Sequence, residues 1–208
     1  GTQSVGHGLS SVPALVITKS RGTTGSWRVF TDIDGTYKIG NLNNTDAFTN
    51  ASVSAPTSSV FNVDGNSNAS TTHVAYCFAN VSGHQRVGVY SGNGSSTGPV
   101  IVTGFQPRWV LIKRSDSAGN WGIYDTERHA PIDNNLTLLA DTSGAESVDN
   151  NKIDILANGF QPKNSTANIN ASGGTYIYLA IGDDEIGSDE DCLVDVPNAV
   201  TADADATD

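Results

Sequence analysis

The stretch PRWVLIKRSDSAGNWGIYD, residues 107–125, decides the fold of this chain. Its two apolar runs, residues 107–113 and 121–125, are short and rich in β-branched and aromatic residues, as strands are. Residues 117–119, Ser-Ala-Gly, supply turn chemistry between the two runs. The pattern therefore predicts a β-hairpin.

The same pattern occurs once before, in residues 13–30. PALVITK aligns with PRWVLIK and GSWRVF with GNWGIY, 94 residues apart and in unbroken register over 18 positions. Further on, residues 42–45 align with 139–142 at a spacing of 97, and NAS at 68–70 aligns with NAS at 170–172 at a spacing of 102. Because the spacing grows only between the predicted strands, the insertions lie in loops. The chain therefore contains the same structural unit twice.

Many short strands separated by Gly, Asn, Ser and Thr predict an all-β fold of two tandem antiparallel β-sandwiches of jelly-roll or lectin-like type. Residues 87–90 and 99–102 are expected to be strands of the second repeat around a Gly-rich loop. An equivalent strand of the first repeat would precede Gly1, which would leave a sheet edge open or filled by another segment. One short helix is expected at 140–148. The predicted boundaries are 1–86 for the first sandwich, 87–186 for the second, and 187–208 for an acidic linker toward a missing module.

The formal net charge of −11 is concentrated at the C-terminus. Ten of the 22 acidic residues lie between 183 and 208, which leaves 12 acidic against 11 basic residues in the rest of the chain. This nearly neutral body lacks the clustered Lys and Arg of nucleic-acid binding, so no nucleic-acid partner is expected. No apolar run approaches the roughly 20 residues of a membrane-spanning helix, so no membrane insertion is expected.

The histidine and cysteine residues predict no metal, disulfide or other cofactor. The four histidines show none of the short ligand spacings of zinc sites, and the two cysteines lie in unlike settings.

Aromatic residues are the candidates for contacts with glycans or with other subunits. Tyr176 and Tyr178 share one face of a predicted strand, while Ile177 and Leu179, on the other face, are expected to fill the core. Trp121 allows two interpretations, an exposed sugar-stacking side chain or a core residue with a bonded indole N–H. The core interpretation is favoured, and Trp27 and Trp109 receive it too. The candidate contact residues are Tyr90, Asn93, Trp121, Tyr176 and Tyr178.

Asp125 and Glu127 resemble the paired carboxylates of glycoside hydrolysis, because residues two apart on a strand share a face. Arg128 adjoins them, however, and the equivalent positions of the first repeat hold Thr31 and Ile33. We therefore expect an ion pair between Asp125 and Arg128 rather than an acid–base couple.

Three segments together, SGNGSSTGPVIVTGFQPRWVLIKRSDSAGNWGIYDTER, ILANGF and NASGGTYIYLAI, resemble a module of structural proteins of marine tailed bacteriophages, among them cyanophages and pelagiphages. The resemblance extends from about residue 7 to residue 186. It implies a virion component, a segment of a tail fibre or other appendage that acts in assembly and in presentation to the host surface. It supplies no catalytic residues, so no enzyme is expected.

The expected partners are copies of the chain itself, as a homo-oligomer such as a trimer, and other virion proteins. Two alternatives stay open: a lectin or adhesin module that binds host glycans and, less favoured, a glycan depolymerase.

Overall fold

The computed structural model describes residues 3–64, 72–128, 134–150 and 152–182, and within these ranges it contains strands and turns but no helix. The predicted linker, 187–208, lies outside the described residues. The first half forms β1 (Gln3–Gly6), β2 (Leu15–Ser20), β3 (Arg28–Ile33), β4 (Thr36–Asn41), β5 (Thr49–Asn50), β6 (Val60–Val63) and β7 (His73–Phe78). The second half forms β8 (Gln85–Ser91), β9 (Ile101–Val102), β10 (Pro107–Arg114), β11 (Trp121–Asp125), β12 (Asn134–Leu139), β13 (Ser147–Asn150), β14 (Ile153–Leu156), β15 (Gly159–Pro162) and β16 (Thr175–Gly182).

The strands form four antiparallel sheets, two from each half. In the first half, β5-β4-β3-β2-β7 form a five-stranded sheet and β1-β6 a two-stranded one. In the second half, β13-β12-β11-β10-β16-β8 form a six-stranded sheet and β14-β15-β9 a three-stranded one. The all-β prediction is confirmed, as is the hairpin of β10 and β11. Strand β8 pairs with β16 over seven residue pairs, which confirms that it belongs with the second repeat.

Three apolar clusters show how the sheets stack. The first lies between the five-stranded and two-stranded sheets and contains Val16, Phe30, Val53, Phe61 and Val63. The second lies between the six-stranded and three-stranded sheets and contains Tyr90, Ile101, Val110, Ile112, Tyr124, Ile153, Phe160, Ile169, Tyr176, Tyr178 and Ala180. The third joins the two large sheets and contains Leu15, Ile17, Val29, Ile33, Phe48, Val87, Leu111, Trp121, Ile177 and Leu179. The two sandwiches are thus fused face to face into four layers.

The central position of the large sheets explains the burial pattern of β16. Tyr176 and Tyr178 point toward the three-stranded sheet, while Ile177 and Leu179 point toward the other sandwich. Side chains alternate across a strand, so a sheet covered on both sides buries consecutive residues. The prediction that Ile177 and Leu179 fill a core is confirmed, and that core is the one shared by the two sandwiches.

Backbone bonds correct the alignment of the repeats by one residue. The backbone N–H of Trp27 donates to Oδ1 of Asn43 at 2.8 Å, and the N–H of Trp121 donates to Oδ1 of Asp141 at 2.7 Å. Asn43 is therefore equivalent to Asp141, at a spacing of 98 rather than 97. Residue-type matching had placed Asn43 opposite Ala140 instead.

The short helix expected at 140–148 is wrong. A turn at 140–141 is followed by an extended segment and by β13. Among the described residues, no helix is long and apolar enough to cross a membrane.

Candidate functional site

The candidate tyrosines lie inside the second sandwich rather than on its surface. Tyr90 stacks on Tyr176 with ring centroids 4.9 Å apart, and its hydroxyl donates to the Ile169 carbonyl at 2.7 Å. Tyr178 meets the ring of Phe160 edge-on at 5.2 Å. The exposed fractions are 8% for Tyr90, 0% for Tyr176 and 4% for Tyr178. The expectation that these side chains contact a glycan or another subunit is wrong, because the three-stranded sheet covers their face.

Burial also sets the protonation of this cluster. It raises the pKa of Tyr90 well above its ordinary value, with the neighbouring Tyr176 and Tyr124 adding to the effect. The pKa values of Tyr176 and Tyr178 are raised for the same first reason, burial. The hydroxyls therefore stay neutral, and those of Tyr90 and Tyr176 donate to the carbonyls of Ile169 and Ala167.

Trp121 connects the two sandwiches. Its side chain is 1% exposed, it packs against Phe48 of the first sandwich at a centroid distance of 5.9 Å, and its Nε1–H donates to the Asn41 carbonyl at 2.9 Å. The core interpretation of Trp121 is confirmed, and the glycan-contact interpretation is wrong. Trp27 and Trp109 are half-buried and pack against the same cluster, so the core interpretation holds for them as well.

Of the five candidate contact residues, Asn93 remains exposed. Its side chain is nevertheless used within its own loop, residues 92–100. Asn93 Oδ1 accepts from Nδ2 of Asn170 at 2.9 Å and from the Ser95 N–H at 3.0 Å, and Asn93 Nδ2 donates to the Thr97 carbonyl at 3.0 Å. The side chain of Asn93 therefore orders the loop.

Asn170 is the centre of this loop network and is fully buried. Its Nδ2 also donates to the Ser95 carbonyl at 2.8 Å, while its Oδ1 accepts from the backbone N–H of Asn93 at 2.9 Å. A buried amide with these partners is a structural element of the turn. The repeated NAS motif, at its second occurrence, thus fixes the loop between β8 and β9.

Asp125 and Glu127 are both engaged by arginines. The backbone N–H of Arg128 donates to Asp125 Oδ1 at 2.8 Å and its Nε to Oδ2 at 2.5 Å, which confirms the predicted ion pair. Glu127 binds Arg108 at 2.5 Å. Burial acts to raise the pKa of Asp125, but the hydrogen bonds from Arg128 outweigh it and hold this pKa below its ordinary value. A carboxyl with a lowered pKa is a poor general acid at neutral pH, so Asp125 does not match the protonated carboxyl of glycoside hydrolases.

Lys113 is a buried charged residue that sequence reasoning did not single out. It is 0% exposed, and its Nζ donates to the carbonyls of Arg114 at 2.6 Å and of Thr45, in the other sandwich, at 3.2 Å. Burial lowers its pKa to about 8 against the opposing effect of three nearby aspartates. The sequence signal that could have identified this residue is a lysine at the end of the same strand in both repeats. Lys19, the counterpart in the first repeat, likewise donates to the carbonyl of the next residue, Ser20, at 2.8 Å. Lys113 thus bonds the two sandwiches together.

The described residues hold no group of three or more His, Cys, Asp or Glu side chains that could bind a metal ion. A cavity of about 460 Å³ lies between β1, β6 and β7. Its described lining contains no carboxylate; it includes Val5, Phe61, Val63, His73, Ala75 and Cys77. The lining mixes polar side chains, Gln3, His7 and Thr18 among them, with apolar ones, and the cavity is bordered by the edge of a sheet.

No curated protein and no solved structure matches this chain. One family model does match it, over residues 1–184, and its description is DUF7483, a domain of unknown function. This match covers both sandwiches and ends just after β16, so it treats the four layers as one unit. The chain therefore belongs to the DUF7483 family.

Proposed function

We propose that the chain is a non-enzymatic structural module of a phage virion, a segment of a tail fibre or other appendage that acts in assembly and presentation to the host. The observation that carries the proposal is that the candidate side chains make their contacts within the chain itself. Four of the five candidate contact residues fill cores, and the two candidate carboxylates are bound by arginines. The resemblance of the repeated motifs to phage structural modules supplies the virion context.

The packing supports a role as a rigid structural module. Both large sheets are covered on both faces, and polar bonds from Trp121 and Lys113 cross between the sandwiches in addition to the shared apolar cluster. Buried donors that lose their partners are costly, so these bonds hold the two sandwiches in one orientation. A module that spaces other parts of an appendage requires such a fixed orientation.

Contacts with copies of the chain and with other virion proteins belong to the same proposal. Val102, on the edge strand β9, is 58% exposed, and Val148, on β13, is 65% exposed. Exposed apolar side chains on sheet edges are suited to burial in protein contacts. These positions favour assembly over a lectin function, because the aromatic residues expected to stack on sugars are inside the fold.

The test is to locate the chain on particles. Antibodies raised against it should label an appendage of purified particles of the phage whose genome encodes it, as seen by immunogold electron microscopy, and pre-absorption with the pure chain should remove the label. Absence of the chain from purified particles, shown by mass spectrometry, would refute the proposal. Cleavage of host polysaccharide by the pure chain would also contradict it.

A further inference from the structure

The two large sheets differ at one edge. In the second sandwich, β8 covers the edge of β16 over seven residue pairs. In the first sandwich, β7 occupies the place of β16, and among the described strands only β2 pairs with it. The repeat therefore provides its own example of how this edge is completed.

The register of the strands gives the equivalent residues. Lys19 pairs with Val74, and its counterpart Lys113 pairs with Ile177. Counting one residue on, Ala75 is equivalent to Tyr178. Counting one residue back, His73 is equivalent to Tyr176.

Some backbone groups of β7 point toward the edge that no described strand covers. The N–H of Arg21 donates to the Thr72 carbonyl at 2.8 Å, and antiparallel bonding alternates along the ladder from there. Every second residue from Thr72 thus bonds to β2. The backbone N–H and C=O groups of Ala75 and Cys77 face the other edge, where another strand could pair with them.

Side chains that β8 covers in the second sandwich are accessible in the first. Ile101 is 6% exposed, while its counterpart Val5 is 39% exposed; each pairs with an equivalent phenylalanine, Phe160 or Phe61. Ala75 is likewise exposed, in contrast to the buried Tyr178. The cavity of about 460 Å³ between β1, β6 and β7 lies where the side chains of a strand beside β7 would enter.

We propose that the β7 edge and this cavity form an acceptor groove for an extended strand of a second polypeptide, which runs antiparallel to β7 and inserts two bulky apolar side chains. Main-chain bonds to Ala75 and Cys77 would align the strand, and the cavity would select its alternate side chains, as in other cases of strand addition. The proposal follows from the repeat and does not depend on a virion location.

The preference for bulky residues comes from a difference in side-chain size between equivalent positions of the two repeats. Gly88 of β8 lies opposite Tyr178, and a Cβ at Gly88 would come within 2.6 Å of the tyrosine hydroxyl oxygen. Tyr178 therefore demands glycine on the neighbouring strand. Ala75 replaces this tyrosine in the groove, so the residue opposite Ala75 has room for a large side chain. The residue opposite His73 would take the position of Tyr90, against Phe61.

Two synthetic peptides test this groove on the full chain by calorimetry or fluorescence anisotropy. One has the sequence of residues 84–92, HQRVGVYSG, and the other carries the change Gly88→Leu. The leucine peptide should bind the unmodified chain about tenfold more tightly or better, because it buries an additional apolar side chain. A peptide with Gly88→Pro should not bind, since proline removes the N–H that pairs with Ala75.

The variant Ala75→Tyr should reverse the preference between the two peptides. It restores the residue of the second sandwich on an exposed position, so its thermal unfolding should stay close to that of the unmodified chain. It should now favour the glycine peptide over the leucine peptide. An unchanged preference in this variant, or no binding of either peptide to the unmodified chain, overturns the proposal. Tighter binding of a peptide with the sequence of residues 188–196, SDEDCLVDV, would assign the groove to the chain's own C-terminal segment and overturn it as well.

Discussion

The buried ammonium group of Lys113 should make the stability of the fold rise with pH. Burial lowers the pKa of this lysine from 10.5 to about 8, so between these values the unfolded chain binds more protons than the folded one. Stability then rises with pH through this window and loses its dependence on the lysine outside it. One pKa unit corresponds to about 1.4 kcal/mol, so the charged lysine destabilises the fold by about 3 kcal/mol below the window. Between about pH 8 and about pH 9.5 the gain should be about 1.5 kcal/mol.

The assay is urea unfolding of the full chain, followed by tryptophan fluorescence at several pH values in that range. Lys113→Met removes the titrating group and keeps a long side chain at this buried position, so its stability should exceed that of the unmodified chain at pH 8 and approach it as pH rises. Lys113→Arg also removes the titration but keeps the charge. It should therefore be less stable than Lys113→Met at every pH, with a parallel profile.

Tyrosines set the upper limit of the experiment. The pKa values of Tyr90, Tyr176 and Tyr178 are raised by burial, so their contribution to stability is lost as pH rises beyond the ordinary tyrosine value of 10.0. All variants share this loss, and comparison below that pH isolates the lysine. If the unmodified chain and Lys113→Met respond in parallel between about pH 8 and about pH 9.5, the pKa of Lys113 is not lowered and the reasoning fails.

Three further substitutions, one of them with a matched control, test the other structural roles. Trp121→Phe should cost about 2 kcal/mol in urea unfolding because a buried carbonyl loses its donor, and Trp27→Phe, at the half-buried counterpart, should cost less; equal losses would contradict the bridging role. Asn170→Ala should cost about 2 to 3 kcal/mol and speed hydrogen exchange in residues 92–100, and unchanged exchange there would show that other bonds order the loop. Asp125→Asn should cost about 1 kcal/mol at neutral pH. Because the native pKa of Asp125 is lowered, its contribution is present above the ordinary aspartate value and lost as pH falls through the native one, so the variant should match the unmodified chain in acid.

Local chemistry explains what the sequence could predict. The hairpin of β10 and β11 depends on two β-rich runs and a Ser-Ala-Gly turn, all within residues 107–125. The assignment of residues 87–90 to the second repeat depended on their position directly before that repeat, and the pairing of β8 with β16 agrees with it. The ion pair of Asp125 and Arg128 is also local, because three residues separate the partners.

Exposure could not be predicted because it depends on contacts between distant segments. Alternation correctly placed Tyr176 and Tyr178 on one face of β16, but alternation does not say which sheet covers that face. A weak signal was present in residues 109–113, WVLIK, where apolar residues occupy consecutive positions. Such runs are typical of strands that are buried on both faces.

The one-residue error in the repeat alignment has a related cause. Matching residue types placed Asn43 opposite Ala140, whereas the backbone of each tryptophan selects its partner by position, Asn43 in one repeat and Asp141 in the other. Asparagine and aspartate both present an oxygen that can accept this bond. The two residues therefore make the same bond at the turn although they differ in type, and matching by residue type misses this equivalence.

The same repetition that fuses the two sandwiches also identifies where the stack is incomplete. The edge of a sheet presents unpaired backbone groups, and at this edge the second sandwich pairs them with β8, which enters from the direction of the first repeat. By the same arrangement, we expect the strand that completes β7 to come from a second polypeptide. If the groove beside Ala75 binds such a strand, each module forms its own core and accepts one strand from its neighbour. Junctions of that kind bury main-chain bonds as well as side chains, so they would transmit force between modules without a hinge.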